Sequence, residues 1–391
     1  MIALKGGTIY SITNGIIKQG TVLITGSKIS YVGTEMEIPP EYKVINVKDK
    51  VVMPGLVDCH THLGIAVEGV GNDGNDKNEI DLTVGSHLRA IDGINPADAG
   101  LHDARCGGIT AVIVTPGSEN VIGGLSVAIK TAGGIVDRML LRQPAGLKVA
   151  FGENPKRKVL QKQTGCPSTR MGIAALIREQ FVKAQYYLEQ WERQQETPGQ
   201  PFQRNLGLEA IAGVLKGTYP MRAHAHAAED IMTAIRIADE FRIPLVLEHA
   251  TEGHKVVEEI AKRNIPCSVG PTLTARVKVE LKDRRYFTSA VLHQAGVRFA
   301  LVTDHPILPV NCLRMEAIMA IASGLPEIAA LQAITIDAAA IMGVSDRIGS
   351  IEVGKDADIV VWSKHPFDLY AQVEHVFING QQIFSQGVGR D

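Results

Sequence analysis

The sequence predicts an α/β protein: a (β/α)8 barrel over residues 51–345, with a small all-β domain assembled from residues 1–50 and 346–391. Three observations predict it. From Val51 to about Val344, strand-like runs alternate with amphipathic helical stretches, the pattern of a parallel α/β architecture. Eight such runs can be counted, enough to close a barrel whose site would lie at the C-terminal strand ends. Both chain ends, by contrast, carry short β-type runs broken by Gly, Asn and Ser.

At the start, Ile2-Ala3-Leu4, Thr8-Ile9-Tyr10, Gly15 to Lys18, Thr21 to Ile24 and Ile29 to Val32 read as strands. The barrel would open with Val51-Val52-Met53-Pro54-Gly55-Leu56-Val57, an apolar lead into Asp58-Cys59-His60-Thr61-His62. Alternate side chains of a strand share a face, so His60 and His62 project together, about 6–7 Å apart along the chain. Cys59 points the other way and reads as a buried structural thiol. Asn95-Pro96 offers a cap and a first-turn proline for a helix running to Cys106. Ile109 to Thr115 is almost entirely apolar, as a strand buried on both faces should be. Ser126 to Lys130, Leu147 to Phe151, Met221 to His226, Ile243 to His249, Ile265 to Val269 and Val297 to Thr303 complete the eight.

Between them, Ile177, Phe181, Ala184, Leu188 and Trp191 form one stripe of a long helix, expected to pack on the barrel or on a partner subunit. The chain then closes with Ala357 to Trp362, Val373 to Ile378, an Asn379-Gly380 hairpin turn, and Gln381 to Phe384. Neither terminal piece is large enough for a stable sheet alone, so the two are expected to pair.

Composition narrows the function. With 45% hydrophobic and 21% charged residues, the chain is ordinary for a globular protein. A net charge of −2 leaves no basic footprint for nucleic acid. No apolar run nears the roughly 20 residues of a membrane span, and no signal peptide is visible at Met1. Five cysteines without a C-x-x-C pair predict reduced thiols and a cytoplasmic location. The partner expected is a small molecule, and the added amphipathic helix suggests a homo-oligomer.

Two motifs carry a family likeness. Pro54-Gly-Leu-Val-Asp-Cys-His-Thr-His62 resembles the metal-binding opening of the amidohydrolase superfamily. Gly349-Ser-Ile-Glu-Val-Gly-Lys-Asp-Ala-Asp-Ile-Val-Val-Trp362 resembles its closing signature. His224, His249 and Asp304 fall at strand ends between them in the expected order, and the likeness is greatest to the imidazolonepropionase-related branch. The resemblance implies that the terminal pieces form a β-sandwich. It also implies that His60, His62, His224, His249 and Asp304 hold a divalent metal, with zinc the best fit, at one or two ions per chain. Imidazole and carboxylate suit such an ion while leaving a position for water. Asp304 would then be the general base and acid in cleaving a carbon–nitrogen bond.

Several positions remain open within that implication. His226 shares the face of His224; motif position favours His224 as ligand, with His226 beside it or touching substrate. Members with two metals bridge them through a carboxylate, often a carbamylated lysine. Glu153 at the end of the fourth strand is the candidate here, because Lys148 reads as lying near that strand's start. Ala227 stands where related ring deaminases and imidazolonepropionases carry glutamate, which favours hydrolysis of an amide, cyclic amide or dipeptide. The alternatives are a mononuclear deaminase of an amino-heterocycle and a non-catalytic assembly protein. Asp58 is a candidate for orienting a ligand. Lys156-Arg157-Lys158, Arg170, Arg276 and Lys278 are candidates for holding a substrate carboxylate. Gly117 to Gly124 either approaches ligand or turns the chain, and it is not a phosphate loop.

Overall fold

The computed structural model describes residues 1–34, 36–157, 166–196 and 202–387. Its strands in chain order are β1 (Ile2–Tyr10), β2 (Ile16–Thr25), β3 (Lys28–Gly33), β4 (Lys43–Asn46), β5 (Val51–Pro54), β6 (Leu56–Thr61), β7 (Ile109–Val114) and β8 (Ile122–Lys130). They continue with β9 (Leu140–Ala150), β10 (Met221–Ala225), β11 (Leu245–His249), β12 (Cys267–Val269), β13 (Phe299–Leu301), β14 (Ile359–Trp362), β15 (Val373–Ile378) and β16 (Gln381–Ser385).

Strands from the two chain ends do pair. One sheet runs β16-β15-β14-β5-β1-β2-β3, with β4 joined to β1. Its seam is β5, parallel to β1 and antiparallel to β14. The opening run of the predicted barrel is therefore split at Gly55: Val51–Pro54 belongs to the terminal sheet and Leu56–Thr61 to the barrel. Glycine is required at the crossing, because a Cβ there would lie 2.0 Å from Thr110 Oγ1. The sheet buries Leu4, Val22, Ile24, Val52, Ile359 and Phe377 in a core of its own. The β15–β16 turn is at Asn379-Gly380, both with positive φ, as the sequence predicts.

The second sheet runs β6 to β13 in sequence order, eight strands. Its edges meet at the top, where Asp304 N donates to His60 O (3.2 Å) and His62 N to His305 O (2.9 Å). One prediction fails here. The third strand is not parallel: β8 is antiparallel to both β7 and β9. Residues 115–121 are all that joins β7 to β8, and a parallel crossover needs a dozen or more. The Gly-rich segment after Thr115 thus turns the chain.

A second correction concerns β9. It begins at Leu140 rather than Leu147, so Lys148 lies near its C-terminal end.

Helices α1 (Ala99–Cys106), α2 (Glu153–Arg157), α3 (Arg170–Glu196), α4 (Leu206–Leu215) and α5 (Ala228–Phe241) lie around the first part of the barrel. Helix α1 starts later than the Asn95-Pro96 signal suggested. Asn95 Oδ1 accepts from Ala97 N in a local turn, and Asp98 is the residue that caps the helix. Asp98 also accepts from Gly64 N (2.9 Å), which ties the helix start to the segment following His62. The stripe on α3 packs within the chain: Ile177, Phe181 and Ala184 are fully buried, and Phe181 meets Phe241 of α5 at 5.1 Å between ring centroids. No helix among the described residues is long and apolar enough to cross a membrane.

Candidate metal centre

Barrel interiors are usually filled by branched apolar side chains. This one has Asp58, Lys148, Arg222 and Glu248 buried at 0–1% exposure beneath its upper rim. Burying a charge is costly unless it is paired, so these residues mark the region that the fold is organised to support.

The upper rim is set by strand ends. Asp58 accepts from His60 N (3.1 Å), from Thr303 N (3.0 Å) and from Thr303 Oγ1 (2.6 Å). Its carboxylate therefore fastens the end of β6 to the residue preceding Asp304, and burial pushes its pKa up to about 7. His249 and Asp304 both have positive φ, 69° and 52°. That conformation costs an L-residue about 1–2 kcal/mol and turns each side chain off its strand into the rim.

Two clusters result. In the first, His60 Nε2 and His62 Nε2 lie 3.4 and 3.2 Å from Asp304 Oδ1. In the second, His224, His226 and His249 meet with ring centroids 4.5–4.7 Å apart. Within each cluster the candidate ligand atoms all lie within 4.8 Å of one another. The clusters adjoin, with His60 and His249 at 4.7 Å between centroids. The structure thus brings together all five histidines and the aspartate singled out in the sequence, His226 as fully as His224.

Hydrogen bonds fix the rings. His62 Nδ1 is 2.6 Å from Thr115 O, and His249 Nδ1 is 2.8 Å from Gly270 O. A carbonyl only accepts, so both rings donate from Nδ1 and keep a lone pair on Nε2. His226 Nδ1 contacts Thr251 Oγ1 (2.7 Å), and His60 Nδ1 contacts Glu248 Oε2 (2.6 Å).

Burial drives the His224 and His226 imidazoles well below their ordinary pKa, assisted by His249 for both and by Lys278. It also pushes His249 down to about 3 and lowers His62. Burial acts the same way on His60, but Glu248 and Asp304 more than reverse it, and its pKa rises. Burial would raise Asp304, yet His249, His60 and His62 hold it well below the usual carboxylate range. Neutral imidazoles and an ionised carboxylate are the ligand states that a divalent cation requires.

Lys148 corrects an expectation. It lines the same cavity as His62, His224, His226, His249 and Asp304, a space of about 310 Å³. Burial pushes its pKa down to about 8, and its charge bears on His60 and His62 as well as on His224 and His249. Glu153 belongs to neither cluster. Gly152, with a φ of 81°, turns the chain after β9, and Glu153 opens α2 with its N–H donated to Glu280 Oε2 (2.9 Å).

The basic candidates separate. Lys278 lines the cavity, its Nζ 3.2 Å from His226 Nε2, 2.7 Å from Glu280 Oε1 and 3.1 Å from Asn154 Oδ1. Arg170 instead pairs with Asp230 of α5 (2.8 Å). Arg276 donates to Lys282 O and Arg284 O (3.1 and 3.3 Å). Lys156 and Arg157 are in α2, and Lys158 is outside the described residues. Ser118 and Glu119 of the Gly-rich segment line the cavity mouth, so that segment reaches the site as well as turning the chain. Cys59 faces away, its Sγ 3.4 Å from Ser268 Oγ, and burial pushes its pKa up to about 12.

Sequence reasoning passed over Arg222, Glu248 and Glu280. Arg222 and Glu248 carried a signal: each is a charge inside an otherwise apolar strand, one or two residues before a histidine. Glu280 arrives from the segment after β12, where no periodicity pointed to it.

Residues 51–383 match the model of the Amidohydrolase family. An amidohydrolase from Thermotoga maritima MSB8 is 44% identical with a TM-score of 0.96, over 99% of this chain and 100% of that one. Amidohydrolase tasK of Hapsidospora irregularis is 29% identical over 94% of this chain, which spans only 40% of that longer protein. Imidazolonepropionase of Paracoccus denitrificans is 26% identical over 91% of this chain and 90% of its own. This chain belongs to the amidohydrolase family of hydrolases and is related within it to the imidazolonepropionases.

Proposed function

We propose that the protein hydrolyses a carbon–nitrogen bond of a small molecule: a non-peptide amide, a cyclic amide or a dipeptide. The observation that carries this reading is the pair of adjoining clusters, His60–His62–Asp304 and His224–His226–His249, opening into one cavity. The donor set fits a divalent cation, zinc before others, at one or two positions. His60 Nε2 supports the fit, being buried without a hydrogen-bond partner of good geometry. Bound there, a cation would supply a Lewis acid and a more acidic water.

The chain's own residues do the rest. Asp304, ionised and facing the cavity, takes the proton from water and returns it to the leaving nitrogen. Lys148 replaces Glu153 as the bridging candidate. Its amine, which lines the cavity with both clusters, would take up carbon dioxide and release one proton to supply a carbamate ligand. Lys278 presents a cation to an anionic group on the substrate. We also read the terminal sheet, with Val51–Pro54 as its seam, as folding into a sandwich built from both chain ends. Five free cysteines suit a reducing cytoplasm.

One observation favours a second reading. Glu280 Oε1 lies 3.7 Å from His226 Nε2 and 4.0 Å from His224 Nε2, near where Ala227 leaves an acid missing. A deaminase would use such an acid, although Lys278 and Glu153 N already engage it.

Elemental analysis of protein purified without chelator, with assays on dipeptides, N-acyl amino acids and cyclic amides, separates the readings. About two metal equivalents with amide cleavage are expected. One equivalent with ammonia release from amino-heterocycles would replace the hydrolase reading by the deaminase one. Protein that takes up no metal even on reconstitution would overturn both.

A further inference from the structure

Beneath the first cluster lies a buried chain of charge that the chemistry above does not use. Arg222 Nε is 2.6 Å from Glu248 Oε1, and Glu248 Oε2 is 2.6 Å from His60 Nδ1; all three side chains are 0% exposed. Arg222 is itself anchored, with Nη2 donating to Cys59 O at 2.7 Å. The guanidinium is fixed to the backbone between Asp58 and His60, so Glu248 is held against one particular imidazole nitrogen.

Among the clustered histidines, His60 alone has a carboxylate behind it. His62 and His249 meet carbonyls, and His226 meets a threonine hydroxyl. A carboxylate accepting from Nδ1–H makes the opposite nitrogen a stronger donor than a neutral acceptor does, and it fixes the tautomer. The arrangement costs desolvation of two charges, which a pair buried only for stability seldom repays.

We propose that the Arg222–Glu248 pair is a positioning device acting through His60, which makes the His60–His62–Asp304 cluster the tighter of two metal positions, so that the centre loads in a fixed order. Neither residue lines the cavity. The inference rests on the metal-dependent reading above, and its test tells the two apart.

The experiment is titration of metal-free protein with Co2+, followed by calorimetry and by the ligand-field absorption of each bound ion. Wild type is expected to fill in two resolved steps. Glu248→Gln should weaken the first step about 10–100-fold, the range for removing such an outer partner, and leave the second within about twofold. Arg222 unpaired in that variant is itself destabilising. The double variant Glu248→Gln with Arg222→Met removes both charges and should show the same selective loss. Rescue of the first step by Glu248→Asp would support the mechanism. Wild type that takes up no Co2+ would overturn the hydrolase reading and this inference with it. Wild type that loads in two steps, with folded Glu248→Gln and double variants loading identically, overturns this inference alone.

Discussion

The two halves of the centre are built from similar ligands on different foundations. His60, His62 and Asp304 combine two imidazoles with an anion, above the buried Arg222–Glu248 pair. His224, His226 and His249 are three imidazoles whose Nδ1 partners, where present, are neutral. The difference teaches that ligand identity describes only part of a metal position. What stands behind each ring decides whether it is an electron-rich ligand or merely a neutral one.

The largest effect expected tests the anionic half. Asp304→Asn should lower kcat about 10²–10⁴-fold, the usual range for a lost general base, with little change in thermal midpoint. A loss under tenfold would remove Asp304 from proton transfer. Next comes Lys148, which lines the cavity with both halves. Lys148→Met should cost about one metal equivalent and about a hundredfold in metal affinity, partly recovered by added short carboxylic acids. Glu153→Gln should leave stoichiometry unchanged. The reverse pattern would return the bridging role to Glu153.

The smallest effect is a pH dependence in metal-free protein. His224, His226 and His249 have depressed pKa values, so the unfolded chain binds more protons and stability falls once pH drops below about 6.5. His249 alone, at about 3, accounts for about 2 kcal/mol by pH 5. His60 is raised and contributes the opposite sign: its stabilisation is complete below about 6.5 and is lost as pH rises through its folded value. Urea midpoints between pH 7 and 5 should fall in wild type and fall less in His249→Asn. Equal slopes would show that the second half is not the acid-labile one.

The strand-end placement of the histidines and Asp304 is legible because period-two spacing and apolar leads act locally, while their selection as a set rests on the family resemblance. The pairing of the chain ends was legible from their matching texture, and Asn379-Gly380 from its turn chemistry. The direction of β8 is carried only by the short link between Thr115 and Val121, which periodicity does not reveal. The position of Lys148 along β9 is hidden because the strand starts at a boundary, Leu140–Pro144 being more exposed and less apolar than the residues that follow. Glu280 was invisible for a different reason. It enters the site through a tertiary contact from an irregular segment, which no local pattern encodes.

The reversed strand has a mechanical consequence. β8 begins at Ile122, where it bridges Val84 on the site side, and ends at Lys130, whose Nζ is 2.8 Å from Asp356 Oδ2 and 2.9 Å from Asp358 Oδ1 beside the terminal sheet. Its nine residues make a strut of about 30 Å. The forward strands run toward the chemistry, whereas this one runs away from it. A graft that lengthens residues 115–121 would therefore reshape the mouth while leaving the clasp at Lys130 in place, which makes that short link a natural point for altering what the cavity admits.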